Sequence, residues 1–272
     1  MLILSDAIRL IDNGYKQGQM MVAQSVYPKL PKAPIEEAII SLTIGKQKHP
    51  SLQDVEGLCK TLKDTYPHIK NWKIKQLFLE ENDMGSNISH QEQAKGFVIS
   101  SENQKNLLHL SQDTLTLNRL RPYGSWDDFS QDYKAAWTIF TAPLKVEEIS
   151  SLIIRYINSF VIPMEGWEDH LLMRPSLQSQ SAVDDAVISM GEVFSRYFLI
   201  SERHMAQSVV LLTLKPENRD FLSVIMDIEV TSRTPITGYS GYHDITDVLN
   251  RLRDFKNQIF FANLPKAEAL FS

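Results

Sequence analysis

The sequence predicts an α+β protein of two similar lobes, each an antiparallel sheet meander with helices packed on one face. Three observations predict it. Stretches such as 35–44 alternate apolar and polar residues with the period of a half-buried strand. Stretches such as 51–66 and 125–140 instead carry apolar residues at helical spacing behind a capping residue. Each half of the chain also places a strand meander before an amphipathic helix with an acidic start.

The first strand, 35–44, is led in by Pro28, Pro31 and Pro34. Ala38, Ile40, Leu42 and Ile44 fall on one face, and Glu37, Ser41 and Thr43 on the other. Ser51 and Asp54 have capping-box spacing, and Val55, Leu58, Cys59, Leu62 and Tyr66 form a helical stripe that Pro67 ends. Strands are predicted at 73–80, 96–100, 107–110 and 114–120, the last two joined by a turn at Ser111-Gln112-Asp113. Ser125 caps the next helix, with Asp128 three positions on. Its buried stripe is Phe129, Tyr133, Ala136, Trp137 and Phe140, and Pro143 closes it. A long strand, 149–163, follows.

Residues 164–183 lack periodicity and contain Gly166, Pro175 and a Ser/Gln run, which marks a linker. Beyond it, strands are expected at about 191–200, 208–214 and 222–231, then a helix capped by Asp244 with Asp247 three residues later, running to about Leu264. The organisation is therefore an N-terminal appendage (1–24), a first α+β lobe (25–163), the linker (164–183) and a second α+β lobe (184–272). Phe129, Tyr133, Ala136 and Phe140 have the same mutual spacing as Val248, Leu252, Phe255 and Ile259, which points to an internal duplication.

Composition narrows the function classes. With 43% apolar and 22% charged residues in 272, the chain can bury its own core without metal or disulfide. Its one cysteine, Cys59, forbids an intramolecular disulfide and suits the cytoplasm. No apolar run approaches the roughly 20 residues of a membrane span, so no membrane partner is expected. A net charge of −5 argues against a broad nucleic-acid surface.

Several short pieces together carry a resemblance. They are Ala33-Pro34-Ile35-Glu36-Glu37-Ala38-Ile39, Asn118-Arg119-Leu120-Arg121-Pro122-Tyr123 with Trp126, Phe129 and Trp137, Arg155-Tyr156-Ile157-Asn158 with Ile162-Pro163, and Met226-Asp227-Ile228-Glu229 before a helix with Phe255. On these the chain resembles a bacterial protein family of sporadic distribution with no established activity. The resemblance covers nearly the whole chain apart from residues 1–20, implies no catalytic residues, and hints at defence-linked gene neighbourhoods.

The chemistry-bearing residues point to no reaction. The histidines, His49, His68, His90, His109, His170, His204 and His243, show no zinc-ligand spacing. A glycine-rich phosphate loop and a Gly-x-Ser-x-Gly elbow are absent. Cys59 sits on an apolar stripe as a core residue. No catalytic residue, metal ligand or cofactor is assigned.

Arg155 in its apolar strand needs an acidic partner if buried. Asp227 and Glu229 share one strand face and are the candidates, either as a structural ion pair or around an anionic ligand. Those two carboxylates could alternatively serve a metal or a nuclease. The loop Gly238–His243 presents Tyr239, Tyr242 and His243, as an interaction loop or as a wide turn folded back on the body. Arg119, Arg121, Tyr123, Arg251 and Arg253 are candidates for a basic–aromatic patch.

The leading expectation is a non-catalytic interaction or regulatory protein with a protein partner, in the narrow case an antitoxin-like or defence-system subunit. A homodimer through edge strands is compatible with it. The alternatives are a ligand-binding module with a helix gripped by a curved sheet, and an enzyme of unrecognised type.

Overall fold

Strands such as Ile35–Ile44 and Thr114–Leu120 alternate in burial as their sequences do, and the two expected meanders are halves of one sheet. The computed structural model describes residues 27–45, 49–82, 85–173 and 191–272. The expected appendage 1–24 lies outside them, as do residues 174–183 of the expected linker. The strands are β1 (Ile35–Ile44), β2 (His68–Asn82), β3 (Gly85–Ser100), β4 (Asn106–Ser111), β5 (Thr114–Leu120), β6 (Glu148–Pro163), β7 (Val193–Ser201), β8 (Ala206–Pro216), β9 (Phe221–Ser232) and β10 (Ile236–Thr237). The helices are α1 (Leu52–Thr61), α2 (Trp126–Thr141), α3 (Tyr242–Asn263) and α4 (Ala267–Leu270), with a 3-10 turn at Trp167–Asp169.

The sheet is antiparallel and ordered β2-β3-β4-β5-β1-β6-β9-β8-β7, with β10 on β6. At its centre β1 and β6 pair directly. In each half the opening strand (β1 or β6) pairs with the strand that closes the following meander (β5 or β9), and a helix comes next.

The helices lie on one face, since α1 meets β3 and β4, α2 meets β5, and α3 crosses β6, β8 and β9. Ala38, Ile40, Leu42, Leu115, Leu117, Leu152 and Ile154 point at them from the middle of the sheet, all without solvent exposure. From above come Phe129, Tyr133 and Phe140 of α2 and Ile245, Leu249 and Leu252 of α3.

Caps decide where the helices start. Ser51 and Asp54 form the reciprocal capping box. Ser125 accepts from the Asp128 N–H at 3.2 Å. At α3 the expectation needs correction: the helix begins at Tyr242 with Gly241 as N-cap. Asp244 sits in the first turn and reaches back to the Ser240 N–H at 2.9 Å. A carboxylate at the third position satisfies a free donor as well as a capping side chain does.

β2 and β3 are also longer than expected, pairing from His68↔Ser100 out to Asn82↔Gly85. Backbone pairing needs no apolar side chains, so the polar stretch 85–95 gives no period-two signal while still forming a strand.

Phe129 is fully buried beneath Tyr123 and Trp126. Phe129→Ala should cost about 3–5 kcal/mol of unfolding free energy, as large-to-small changes in a closed core do. Urea denaturation checks this, and a loss below about 1 kcal/mol would show that the helix layer is loosely packed.

Candidate functional site

Helices cover one sheet face, so every second strand residue points to the other, open face. Around β5 and β1 the open face is polar and cross-linked by side-chain hydrogen bonds, with the buried Asn118 Oδ1 left without a partner among the described residues. Ser41 and Thr116 hydroxyls meet at 2.6 Å, Thr43 and Thr114 at 3.3 Å, and Asn118 donates to Glu37 at 2.5 Å. From β6 to β7 the character changes to Ile153, Ile157, Ile225, Val209, Leu211, Phe194, Phe198 and Ile200. On β7 the exposures are 64% for Phe194, 57% for Phe198 and 56% for Ile200, far above those of core side chains. β7 ends the strand order, so its outer edge has no neighbour among the described strands.

Arg155 stands in the middle of this open face. Directly opposite it on β9 is Glu229, yet the guanidinium reaches the diagonal neighbour Asp227. Nε donates to Oδ1 at 2.9 Å and NH2 to Oδ2 at 2.6 Å, a two-pronged pair. The Asp227 side chain is 11% exposed and that of Arg155 37%, so the pair is only partly screened by water. Its hydrogen bonds, with Glu229 and Glu37 nearby, raise the Arg155 pKa and keep the charge fixed. Arg155 is thus committed to a carboxylate and points away from the helix side, where the cavities lie.

The loop residues fold back on α2. Tyr239 accepts a hydrogen bond from Trp137 Nε1 at 3.0 Å, and its ring stands edge-on to that indole. Tyr242, the first residue of α3, donates to the Ser130 carbonyl at 3.4 Å, with Lys134 over its ring. Burial raises the Tyr242 phenol above its ordinary range. His243, unlike the two tyrosines, stays exposed, beside Asp244.

One arrangement escaped the sequence reading. Ser201 Oγ lies 2.7 Å from His204 Nδ1, and His204 Nε2 lies 3.0 Å from Asp254. Ser201 Oγ also accepts from the His204 backbone N–H at 3.3 Å, which makes it a turn at the β7–β8 connection. His204 is 2% exposed and its ring stacks on Phe255. The chain Ser201–His204–Asp254 therefore fastens the hairpin to α3, and neither Ser201 nor His204 lines either cavity described below.

Two cavities flank α3 on the helix side. One, about 610 Å³, is a groove between α2 and α3 beside Lys134 and Tyr242. The other, about 510 Å³, lies among the segment 27–35, the start of α2, the middle of β6 and the last turns of α3. In this second cavity the Tyr123 and Tyr156 hydroxyls bond at 2.8 Å. Burial pushes the Tyr123 phenol up to about 12 and raises Tyr156 as well, so both stay neutral at physiological pH. Lys256 Nζ sits 4.2 Å from the Tyr156 ring centre and Arg253 lies over Trp126 at 5.2 Å. Burial, reinforced by the Arg253 charge, pulls the Lys256 ammonium down to about 7.

No model of a known protein family matches the chain, and no curated protein matches it. Within the Arg-Tyr-Ile-Asn piece of β6, Tyr156 and Asn158 line the second cavity while Arg155 faces the opposite side.

Two outcomes follow from these charges. Arg155→Ala leaves the Asp227 carboxylate without its cation and should cost about 1–3 kcal/mol, with Arg155→Met/Asp227→Leu recovering most of it. Chemical denaturation of the parent and the two variants measures both. For Lys256, the folded pKa lies below the unfolded one, so the unfolded chain binds more protons between about 7 and 10.4. Stability contributed by this site therefore rises with pH across that window. Lys256→Met should be more stable than the parent near the acid end, and the gap should close towards the alkaline end. A gap independent of pH in thermal melts would contradict the shift.

Proposed function

We propose that the protein is a non-catalytic interaction protein whose working surface is the apolar half of the open sheet face, and that its partner there is a second copy of the chain. The supporting observation is the row Phe194, Phe198 and Ile200 on the terminal strand β7. Sheets ordinarily guard such a strand with charge, proline or a covering element. The outward positions of β7 hold a single charge, Arg196, and no proline.

The strand is also self-complementary. In an antiparallel pairing centred on Tyr197, Phe194 lies opposite the partner's Ile200, and Arg196 opposite the partner's Phe198. Apolar pairs and an arginine over an aromatic ring both stabilise neighbouring strands. Such a contact is isologous and closes at two copies. The narrower reading, a subunit of an antitoxin-like or defence assembly, draws only on the family resemblance; co-expression with the product of the neighbouring gene tests it, and failure to form a stoichiometric complex would count against it.

Sedimentation velocity should give a particle of twice the 31.1 kDa chain mass. Phe198→Asp should return it to one chain, and Leu172→Asp, an exposed position outside the strands, should leave the dimer intact. A parent protein that sediments as a single chain at every concentration would end the self-pairing proposal.

A further inference from the structure

The 510 Å³ cavity beside Lys256 has the makings of a small-molecule site on the side of the sheet away from β7. Three cations line it, Lys29, Arg253 and Lys256, and neither Lys256 nor Arg253 forms an ion pair with a carboxylate among the described residues. Asp254, between them on α3, is engaged by His204. Asp127, at the start of α2, lines the cavity but pairs with neither cation. A half-buried ammonium and a guanidinium without counter-charge are costly to keep. In place of carboxylates they have aromatic faces, Tyr156 under Lys256 and Trp126 under Arg253.

The remaining walls suit a flat apolar body. Tyr27 and Phe261 stack at 5.2 Å with rings nearly parallel, and Phe260 stands edge-on to Phe261. Asn158 donates to the backbone carbonyls of Tyr156 and Met226, which fixes its side chain in the cavity wall. The volume lies within the range of pockets that enclose a small organic molecule.

We propose that this cavity binds an aromatic small-molecule anion, a planar ring bearing a carboxylate or a phosphate, with the charged group held between Lys256 and Arg253 and the ring against the tyrosine and phenylalanine walls. The bound anion supplies the counter-charge that the fold withholds and replaces water around two desolvating cations. The titratable and charged groups that line the cavity with Lys256 are Arg253 and Asp254 on its own helix, Tyr27 and Lys29 on the leading segment, Tyr123, Tyr156 and Asp127. An arriving anion therefore draws the ammonium back to its charged form, and binding above the lowered pKa takes up a proton.

Isothermal titration calorimetry with 1-naphthoate, 1-naphthyl phosphate and neutral 1-naphthol decides the matter. At least one of the two anions should bind saturably at one site per chain, and the stronger arm identifies the charged group. The naphthol, Lys256→Met and Arg253→Gln should each bind at least about tenfold more weakly, the loss expected for one charge-assisted contact. Lys256→Arg should retain binding, and Phe198→Asp on the open face should not change it. Titrations of 1-naphthoate at about pH 8 in buffers of different ionisation enthalpy should show proton uptake that Lys256→Met lacks. Absence of saturable binding by both anions, equal affinity for the naphthol, or full affinity in a folded Lys256→Met variant would overturn the assignment.

Discussion

The antiparallel ladder between β1 and β6 is the contact on which everything else in this molecule depends. Its register sets Ala38 against Tyr156, Ile40 against Ile154 and Leu42 against Leu152. All six then face the helices, and Ile39, Ser41 and Arg155 face the other way. A slip of one residue would exchange those two sets, placing Arg155 in the helix layer and the aliphatic row in water. Each of these strands also carries the neighbour that opens its own half of the sheet, β5 for β1 and β9 for β6.

Covering one face leaves a chemical division that strand β6 makes visible. On its open side Arg155 is bound to Asp227, and the surface grades from satisfied hydroxyls near β5 to bare aromatic and aliphatic groups on β7. On its covered side Tyr156 and Asn158 stand where the last turns of α3 and the start of α2 fail to close over the sheet. The first site is an exposed apolar surface and the second is a cavity of small-molecule size. They share a strand but no side chain, so one can be altered without disturbing the other.

Most of the architecture was legible in the sequence because apolar alternation and capping residues report it directly. Ala38, Ile40, Leu42 and Ile44 announced β1, and the Ser51 and Ser125 caps announced α1 and α2. The distal part of the β2–β3 hairpin was not legible, since its pairing is carried by backbone groups with little help from side-chain pattern. The start of α3 lies two residues before its apparent cap because Asp244 acts from inside the first turn.

The candidate sites were legible only in part. Arg155 and its need for a carboxylate were evident from one charged residue in an apolar strand. Arg253 and Tyr123 were visible as members of a basic–aromatic group, but their meeting with Lys256 depends on α3 crossing β6 beside the segment 27–35. The Ser201–His204–Asp254 chain joins residues about fifty positions apart and has no local signal. The exposure of Phe194 and Phe198 was equally hidden, because alternation shows that a strand has two faces without saying which of them a helix covers.

Native-state hydrogen exchange followed residue by residue tests the shared sheet most directly. The slowest-exchanging amides should be those of β1 and β6, at Ile40, Leu42, Leu152 and Ile154, and they should open together with β5 and β9 in the global unfolding event. Amides of β1 and β6 that exchange quickly while the flanking meanders remain protected would mean two independent lobes, and the continuous sheet described above would be wrong.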